Sequence, residues 1–291
     1  MQFTGSRYIV AGVTLLIAYI ALTSQIFVFI PWLWTISFAR MLQVLIPFNM
    51  GVGFIYWNYY LACTTDPGTT PVGWGVLKKM NKKKRGDAPL PRYCRTCEAF
   101  KPPRSHHCRI CKRCVLKMDH HCPWINNCVG HYNYGHFIRF ISWVTLTTGA
   151  CMILLVWRVV DYTGTGPTKT QVIFMAVNIA VDGGVLLAVG ILTIYHLWSM
   201  ITNTSTIEVW EQEKVEAMIK KGKIRKVKFP YNVGCLRNYR QVLGPSALFW
   251  LWPQRMLGSG TEFDVIKDKD AALTWPPREY QTSKKQDRTF V

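Results

Sequence analysis

Runs of apolar residues, broken by short polar connections, dominate the first two thirds of the chain. Uncharged apolar stretches cover residues 8–30, 41–62, 140–157 and 172–200, the last carrying Asp182 as its one acidic side chain. A helix rises 1.5 Å per residue, so about 20 residues cross a bilayer. Each stretch therefore predicts a membrane-spanning helix. The first is longer than the apolar centre of a signal peptide, has only Arg7 among charged residues before it and no small-residue cleavage site behind it, so it reads as a retained span. Pro47 and the Gly-Val-Gly of residues 51–53 would kink the second span, which neighbouring helices tolerate. The turn residues Asp66-Pro67-Gly68 close that span. Beyond residue 200 the pattern becomes polar: residues 208–221 read as a short amphipathic helix, 229–245 as an aromatic, turn-rich segment and 261–291 as a mobile terminus. No repeat of about 20 to 50 residues is visible.

The predicted fold is thus an all-α integral membrane protein, four transmembrane helices with a cysteine-rich loop between helices 2 and 3. Its segments are residues 1–68 (helices 1 and 2), 69–91 (a basic linker), 92–137 (the cysteine-rich region), 138–200 (helices 3 and 4) and 201–291 (a C-terminal segment). Charge orients this arrangement. Of 291 residues, 35 are Lys or Arg against 16 Asp or Glu, a formal net charge of +19, yet 49% are hydrophobic and only 18% charged, which excludes a disordered polycation. Thirty of the 35 cations lie in residues 63–136 and 201–291, two segments separated by an even number of spans. Both are expected in the cytosol, together with both termini. The run Lys-Lys-Met-Asn-Lys-Lys-Lys-Arg at 78–85 then reads as a segment facing lipid headgroups, and the charge requires no nucleic-acid partner. Asp182 is expected near the opposite end of its span, in water, and His196 is read as a polar interface residue.

The cytosol keeps thiols reduced, so crowded cysteines there bind metal or catalyse. Seven of the ten cysteines fall at Cys94, Cys97, Cys108, Cys111, Cys114, Cys122 and Cys128, interleaved with His106, His107, His120 and His121. Structural zinc takes four thiolate or imidazole ligands, commonly starting from C-x2-C knuckles. Two Cys3His sites would use eight of these eleven donors and leave one cysteine over. The candidate is Cys122, which follows Asp119-His120-His121 directly: an imidazole can take a thiol's proton, and an aspartate can fix the imidazole's tautomer. The alternative is that Cys122 is itself a metal ligand. Spacing alone does not separate His106 from His107.

Residues 92–137, with Asp119-His120-His121-Cys122-Pro123-Trp124 and Asn127-Cys128-Val129-Gly130, resemble the cysteine-rich domain of DHHC protein S-acyltransferases. Asp66-Pro67-Gly68 resembles that family's DPG element, and Ser205-Thr206-Ile207-Glu208 its TTxE element, with Ser205 departing from the usual Thr. The resemblance implies one structural zinc on Cys94, Cys97, His107 and Cys114, and a second on Cys108, Cys111, His121 and Cys128. It implies catalysis by Cys122, His120 and Asp119, with Thr206 supporting Asp119 and Asn238 tying down the C-terminal segment. Lys101 and Arg104 are the expected contacts for the phosphates of a long-chain acyl-CoA donor. The implied reaction is ping-pong acyl transfer to Cys122 and then to cytosolic cysteines of membrane proteins. The compact chain resembles fungal endoplasmic-reticulum members, with the Golgi as alternative. A non-enzymatic zinc-knuckle membrane adaptor is the rival function, and it predicts a dispensable Cys122. The small residues 145–150 of the third span are expected to lie deep in an acyl slot and to set chain length.

Overall fold

The computed structural model describes residues 4–75, 91–161, 166–272, 274–277 and 280. The basic run at 78–85 and residues 281–291 lie outside the described residues. Four helical stretches are long and apolar enough to cross a bilayer, Arg7–Ile36, Phe38–Thr64, Tyr134–Val160 and Lys169–Thr202. The first comprises α1 (Thr4–Ser24), one widened turn (Gln25–Phe29) and α2 (Ile30–Ile36). Residues 31–40, between the first two apolar stretches, are therefore mostly helix. Ser37 alone breaks it, extended at φ −172°, and its hydroxyl accepts from the Arg40 amide at 3.1 Å to start α3 (Phe38–Thr64). Pro47 sits inside α3 without ending it.

The third span, α4 (Tyr134–Val160), starts six residues before the uncharged run, at Tyr134 rather than residue 140. The reason lies in partners far along the chain: buried Arg139 donates to the carbonyls of Trp250 and Leu243 at 2.8 and 3.0 Å, so its charge is accommodated within the helix. A capping box between Thr168 and Gln171 starts α5 (Lys169–Thr202). Helix α4 packs between α3 and α5, and α1 closes the group against α5 and α3. Beyond α5, a second capping box on Ser205 and Glu208 starts α6 (Thr206–Lys220), and α7 (Cys235–Leu243) lies inside the segment expected to be turn-rich, bounded by Gly234 and Gly244. The described part of the terminus expected to be mobile packs instead: Ala272, Trp275 and Tyr280 form an apolar cluster with Val215, Ile224 and Tyr231.

Between α3 and α4 the chain forms three antiparallel hairpins, β1–β2 (Tyr93–Cys94, Ala99–Phe100), β3–β4 (His106–Cys108, Arg113–Val115) and β5–β6 (His120–Cys122, Asn127–Val129). They repeat one geometry at an offset of 14 residues. Cys94 faces Ala99, Cys108 faces Arg113 and Cys122 faces Asn127. Glu98, Lys112 and Asn126, each just ahead of the second strand, share a left-handed backbone at φ 49°, 54° and 48°. Strands this short cannot hold themselves together. The lobe docks on the end of α3 through the Asn127 side-chain amide, which donates to the carbonyls of Ala62, Cys63 and Thr65, and through Asn133, which donates to Ala62. Gly68, at φ 99°, completes the dock: its carbonyl accepts from Leu116, and a Cβ there would strike Leu116 and Tyr132.

Candidate active site

The hairpin repeat builds two metal-ligand clusters, Cys94–Cys97–His107–Cys114 and Cys108–Cys111–His121–Cys128. In each, a C-x2-C knuckle supplies two sulfurs and the next hairpin supplies a directly opposed pair, His107 across from Cys114 and His121 across from Cys128. The His107 Nδ1 lies 3.6, 3.2 and 4.0 Å from its three sulfurs, and the His121 Nδ1 lies 3.8, 3.4 and 3.5 Å from its own. A tetrahedral zinc with bonds of about 2.1 Å to nitrogen and 2.3 Å to sulfur has ligand atoms ~3.6 Å apart. Both donor sets therefore fit a closed, structural zinc. The hairpin register also separates the adjacent histidines: His107 joins the cluster and His106 does not.

The same repeat explains why Cys122 stands apart. Cys94, Cys108 and Cys122 are the first knuckle positions of three successive hairpins, and Cys97 and Cys111 are the second positions in the first two. The third hairpin has Ile125 there, and no fourth hairpin follows to supply an opposed His and Cys, because α4 begins instead. Cys122 belongs to neither cluster. It is 5% exposed, and His120 lies beside it. The His120 Nδ1 is 2.7 Å from the Asp119 Oδ2. Thr206, the first residue of α6, donates to Asp119 through its amide to Oδ1 and its hydroxyl to Oδ2, both at 2.9 Å. Asp119 thus sits at a helix N-terminus that favours its charge. Burial alone would raise the Asp119 pKa, but the hydrogen bonds from His120 and Thr206 outweigh it and hold the carboxyl below its ordinary value. Burial likewise works to lower the His120 pKa, and Asp119 together with Cys122 overcomes it, raising the imidazole to about 9. The ring is set up to retain a proton taken from a neighbour.

On its membrane side Cys122 opens into an apolar cavity of about 690 Å³ lined by residues of α1, α3, α4 and α5. Phe137, Ile141, Val144, Thr147, Thr148 and Cys151 line it along α4, a depth of about 21 Å at helical rise. Asp182 also lines it. That corrects the expected position in water: Asp182 is 0% exposed, and neither carboxyl oxygen has a hydrogen-bond partner among the described residues.

A model of the DHHC palmitoyltransferase family matches residues 88–213. The chain is 42% identical to Palmitoyltransferase PFA4 of Mycosarcoma maydis, over 95% of this chain and 65% of that one. It is 37% identical to Palmitoyltransferase pfa4 of Aspergillus fumigatus, over 95% of this chain and 70% of that one. The chain belongs to the DHHC palmitoyltransferase family. It is also 34% identical to Probable protein S-acyltransferase 16 of Arabidopsis thaliana, over 73% of this chain and 78% of that one. In the first of these comparisons the chain spans somewhat less than two thirds of its relative.

The remaining expected residues of this DHHC chain divide. Arg104 does not present its charge to a ligand. It is 3% exposed, paired with both oxygens of Glu208 at 2.7 and 2.6 Å, donating to the Asn203 carbonyl at 2.7 Å and stacked over Tyr231 at 4.5 Å. Its role is to clamp the lobe to the start of α6, because a guanidinium this enclosed needs every donor occupied. Lys101 is half-buried, its amide bonded to the Arg92 carbonyl. Asn238 donates to the Ile201 carbonyl at 2.7 Å and to Asn232 at 2.8 Å, holding α7 on the end of α5 without touching Asp119 or Cys122. Two further residues at the site lie outside the expected set. His196, on α5, sits with its ring 6.0 Å from that of His120 and 5.3 Å from that of Phe137. Tyr59 donates to the Trp124 carbonyl at 2.8 Å and so pins the segment after Cys122 to α3.

Proposed function

We propose that this chain is a protein S-acyltransferase that passes a long-chain acyl group from acyl-CoA through Cys122 to cysteine thiols of membrane-associated proteins. One observation carries the reading: the single lobe cysteine outside the metal clusters lies between an Asp119–His120 pair and the mouth of a long apolar cavity. Protonated thiols are poor nucleophiles, and His120 takes the Cys122 proton with Asp119 balancing the resulting charge. The thiolate sulfur bonds to the thioester carbonyl carbon, the bond to the CoA sulfur breaks, and the proton held on His120 goes to the departing CoA thiolate. An acceptor thiol then gives its proton to His120 and attacks acyl-Cys122, regenerating the Cys122 thiol. The acyl chain lies in the cavity while the CoA phosphates stay in water. With Arg104 committed to Glu208, the expected phosphate contact reduces to Lys101.

Bound to the two Cys3His sets, zinc would supply shape, replacing the apolar core that the hairpins lack. The four spans and the excess of Lys and Arg on both sides of the α4–α5 pair support a multi-pass protein with lobe and termini in the cytosol. Its resemblance as a compact chain to fungal endoplasmic-reticulum members of the family is the ground for placing it there. A zinc-knuckle adaptor would leave the cavity at Cys122 and the hydrogen-bonded Asp119–His120 pair without a purpose.

The test is incubation of the purified chain with labelled palmitoyl-CoA. The expected result is a hydroxylamine-labile acyl group on Cys122, absent in Cys122→Ala, which still carries two zinc ions. A wild type that takes no label, or a Cys122→Ala protein that loses zinc, overturns the reading.

A further inference from the structure

We propose that Asp119, His120 and His196 form a third metal site, which takes a divalent transition-metal ion such as Zn²⁺ and holds the enzyme inactive while the ion is bound. One donor atom from each of the three lies within 4.8 Å of the others. Asp119 is fixed by two hydrogen bonds from Thr206. His196, 2% exposed, is held by the rings of Phe137 and Tyr195 and by the Tyr134 hydroxyl, 3.5 Å from its Nδ1. These are donors from two distant parts of the chain, with Asp119 and His196 buried and His120 partly exposed.

The donor chemistry selects the ion. Two imidazoles and one carboxylate suit Zn²⁺ and its transition-metal neighbours, whereas Ca²⁺ and Mg²⁺ require mostly oxygen ligands. Zinc bonded to nitrogen and oxygen at about 2.0–2.2 Å spaces its ligand atoms ~3.4 Å apart. The three donors lie no more than 4.8 Å apart, and the His120 side chain, 31% exposed, has room to rotate out of its 2.7 Å contact with Asp119 toward that spacing. The two Cys3His sets differ from this one in kind. Each presents four ligands, three of them thiolates, and is closed. The third set presents three and leaves a position open beside Cys122, so its ion exchanges with solution and the fold does not depend on it. When bound, the ion takes a nitrogen of His120 and an oxygen of Asp119, the hydrogen bond between them breaks with any displaced proton passing to solvent, and the pair no longer serves the thiol. Inhibition rests on the acyl-transfer reading above, but binding does not.

The test uses the full chain in lipid nanodiscs, carrying its two tightly held zinc ions. Titrating Zn²⁺ against a competing chromophoric chelator should reveal one further, weaker equivalent per chain. His196→Asn and His196→Gln should each lose that equivalent and keep the two tight ions, which also reports that they fold. Self-acylation from palmitoyl-CoA, with each protein normalised to its own rate in chelated buffer, should fall at least tenfold as the weak site fills. Both His196 variants should need at least tenfold more zinc for the same inhibition. No third equivalent, or one that survives in both variants, overturns the site. A third equivalent that fills without slowing acylation overturns the inhibition. A wild type that never acylates in chelated buffer sinks the acyl-transfer reading and the inhibition with it, while the titration still decides whether the site exists.

Discussion

In the cysteine lobe every shape-determining residue lies within a few positions of the next, and the 14-residue spacing of knuckles and opposed pairs sets the order of the hairpins. In the helical bundle the decisive contacts join residues more than a hundred positions apart, as where Trp32 donates to Asp161 or Arg139 to Trp250. The lobe has almost no apolar core of its own, whereas the bundle buries an apolar cluster that runs from Ile20 to Met175. Cys122 stands where the two meet, with the Asp119–His120 pair of the lobe on one side and the apolar cavity of the bundle on the other. The difference predicts distinct failures: the lobe should fail all at once, and the bundle by degrees.

The largest effect is expected from Cys94→Ala. Its cluster shares the β3–β4 hairpin with the second cluster, since that hairpin carries His107 and Cys114 for one and Cys108 for the other. Structural zinc contributes about 10–16 kcal/mol in small zinc modules, far more than hairpins of two or three residues can replace. Zinc content should drop below one ion per chain and self-acylation should fall to background, while far-UV circular dichroism keeps most of its helical signal. Retention of two ions in this variant would mean that the lobe is held by something other than its metals.

The joint between the two regions should fail less completely. Glu208→Ala leaves the Arg104 guanidinium buried without its partner, a class of change that costs about 3–5 kcal/mol. Because Thr206 holds Asp119 from the same helix start, acylation should fall together with thermal stability, and Glu208→Gln should recover part of both. A Glu208→Ala protein with an unshifted melting temperature would show that the lobe does not depend on this clamp.

The same contrast explains what could be read from the sequence. Cys122, the C-x2-C knuckles and the candidate His120–Asp119 pair were legible because they are neighbours in the chain. The spans were legible because burial in lipid needs only a run of apolar residues. The 14-residue offset was present but shorter than the periods of ordinary repeat proteins, and it would have shown why Cys122 is the surplus thiol. His106 and His107 could be told apart only by strand register, which places alternate side chains on opposite faces. Arg104 looked like a free cation because its partner Glu208 is 104 residues away. His196 and Asp182 depend on how α5 is rotated and how deep it sits, which an all-round apolar helix leaves undetermined.

The smallest effect, and the one that tests the bundle alone, concerns the length of chain the cavity accepts. Thr147 lines it about ten residues, or about 15 Å of helix, beyond Phe137 at the Cys122 end. At this level α3 approaches closely, since a Cβ on Gly51 would meet the Thr147 hydroxyl at 2.5 Å, so the space open to a larger side chain at 147 is the cavity that Thr147 also lines. Thr147→Trp should therefore leave zinc content at two and favour shorter acyl-CoAs, with the ratio of 12-carbon to 16-carbon self-acylation rising several-fold. A polar group lining the cavity makes the complementary change informative: Asp182 has no hydrogen-bond partner among the described residues, and Asp182→Leu should ease entry of the longest chains by removing a buried group that apolar carbon cannot satisfy. If Thr147→Trp leaves the ratio unchanged, the acyl chain does not run along α4, and the cavity has some other occupant.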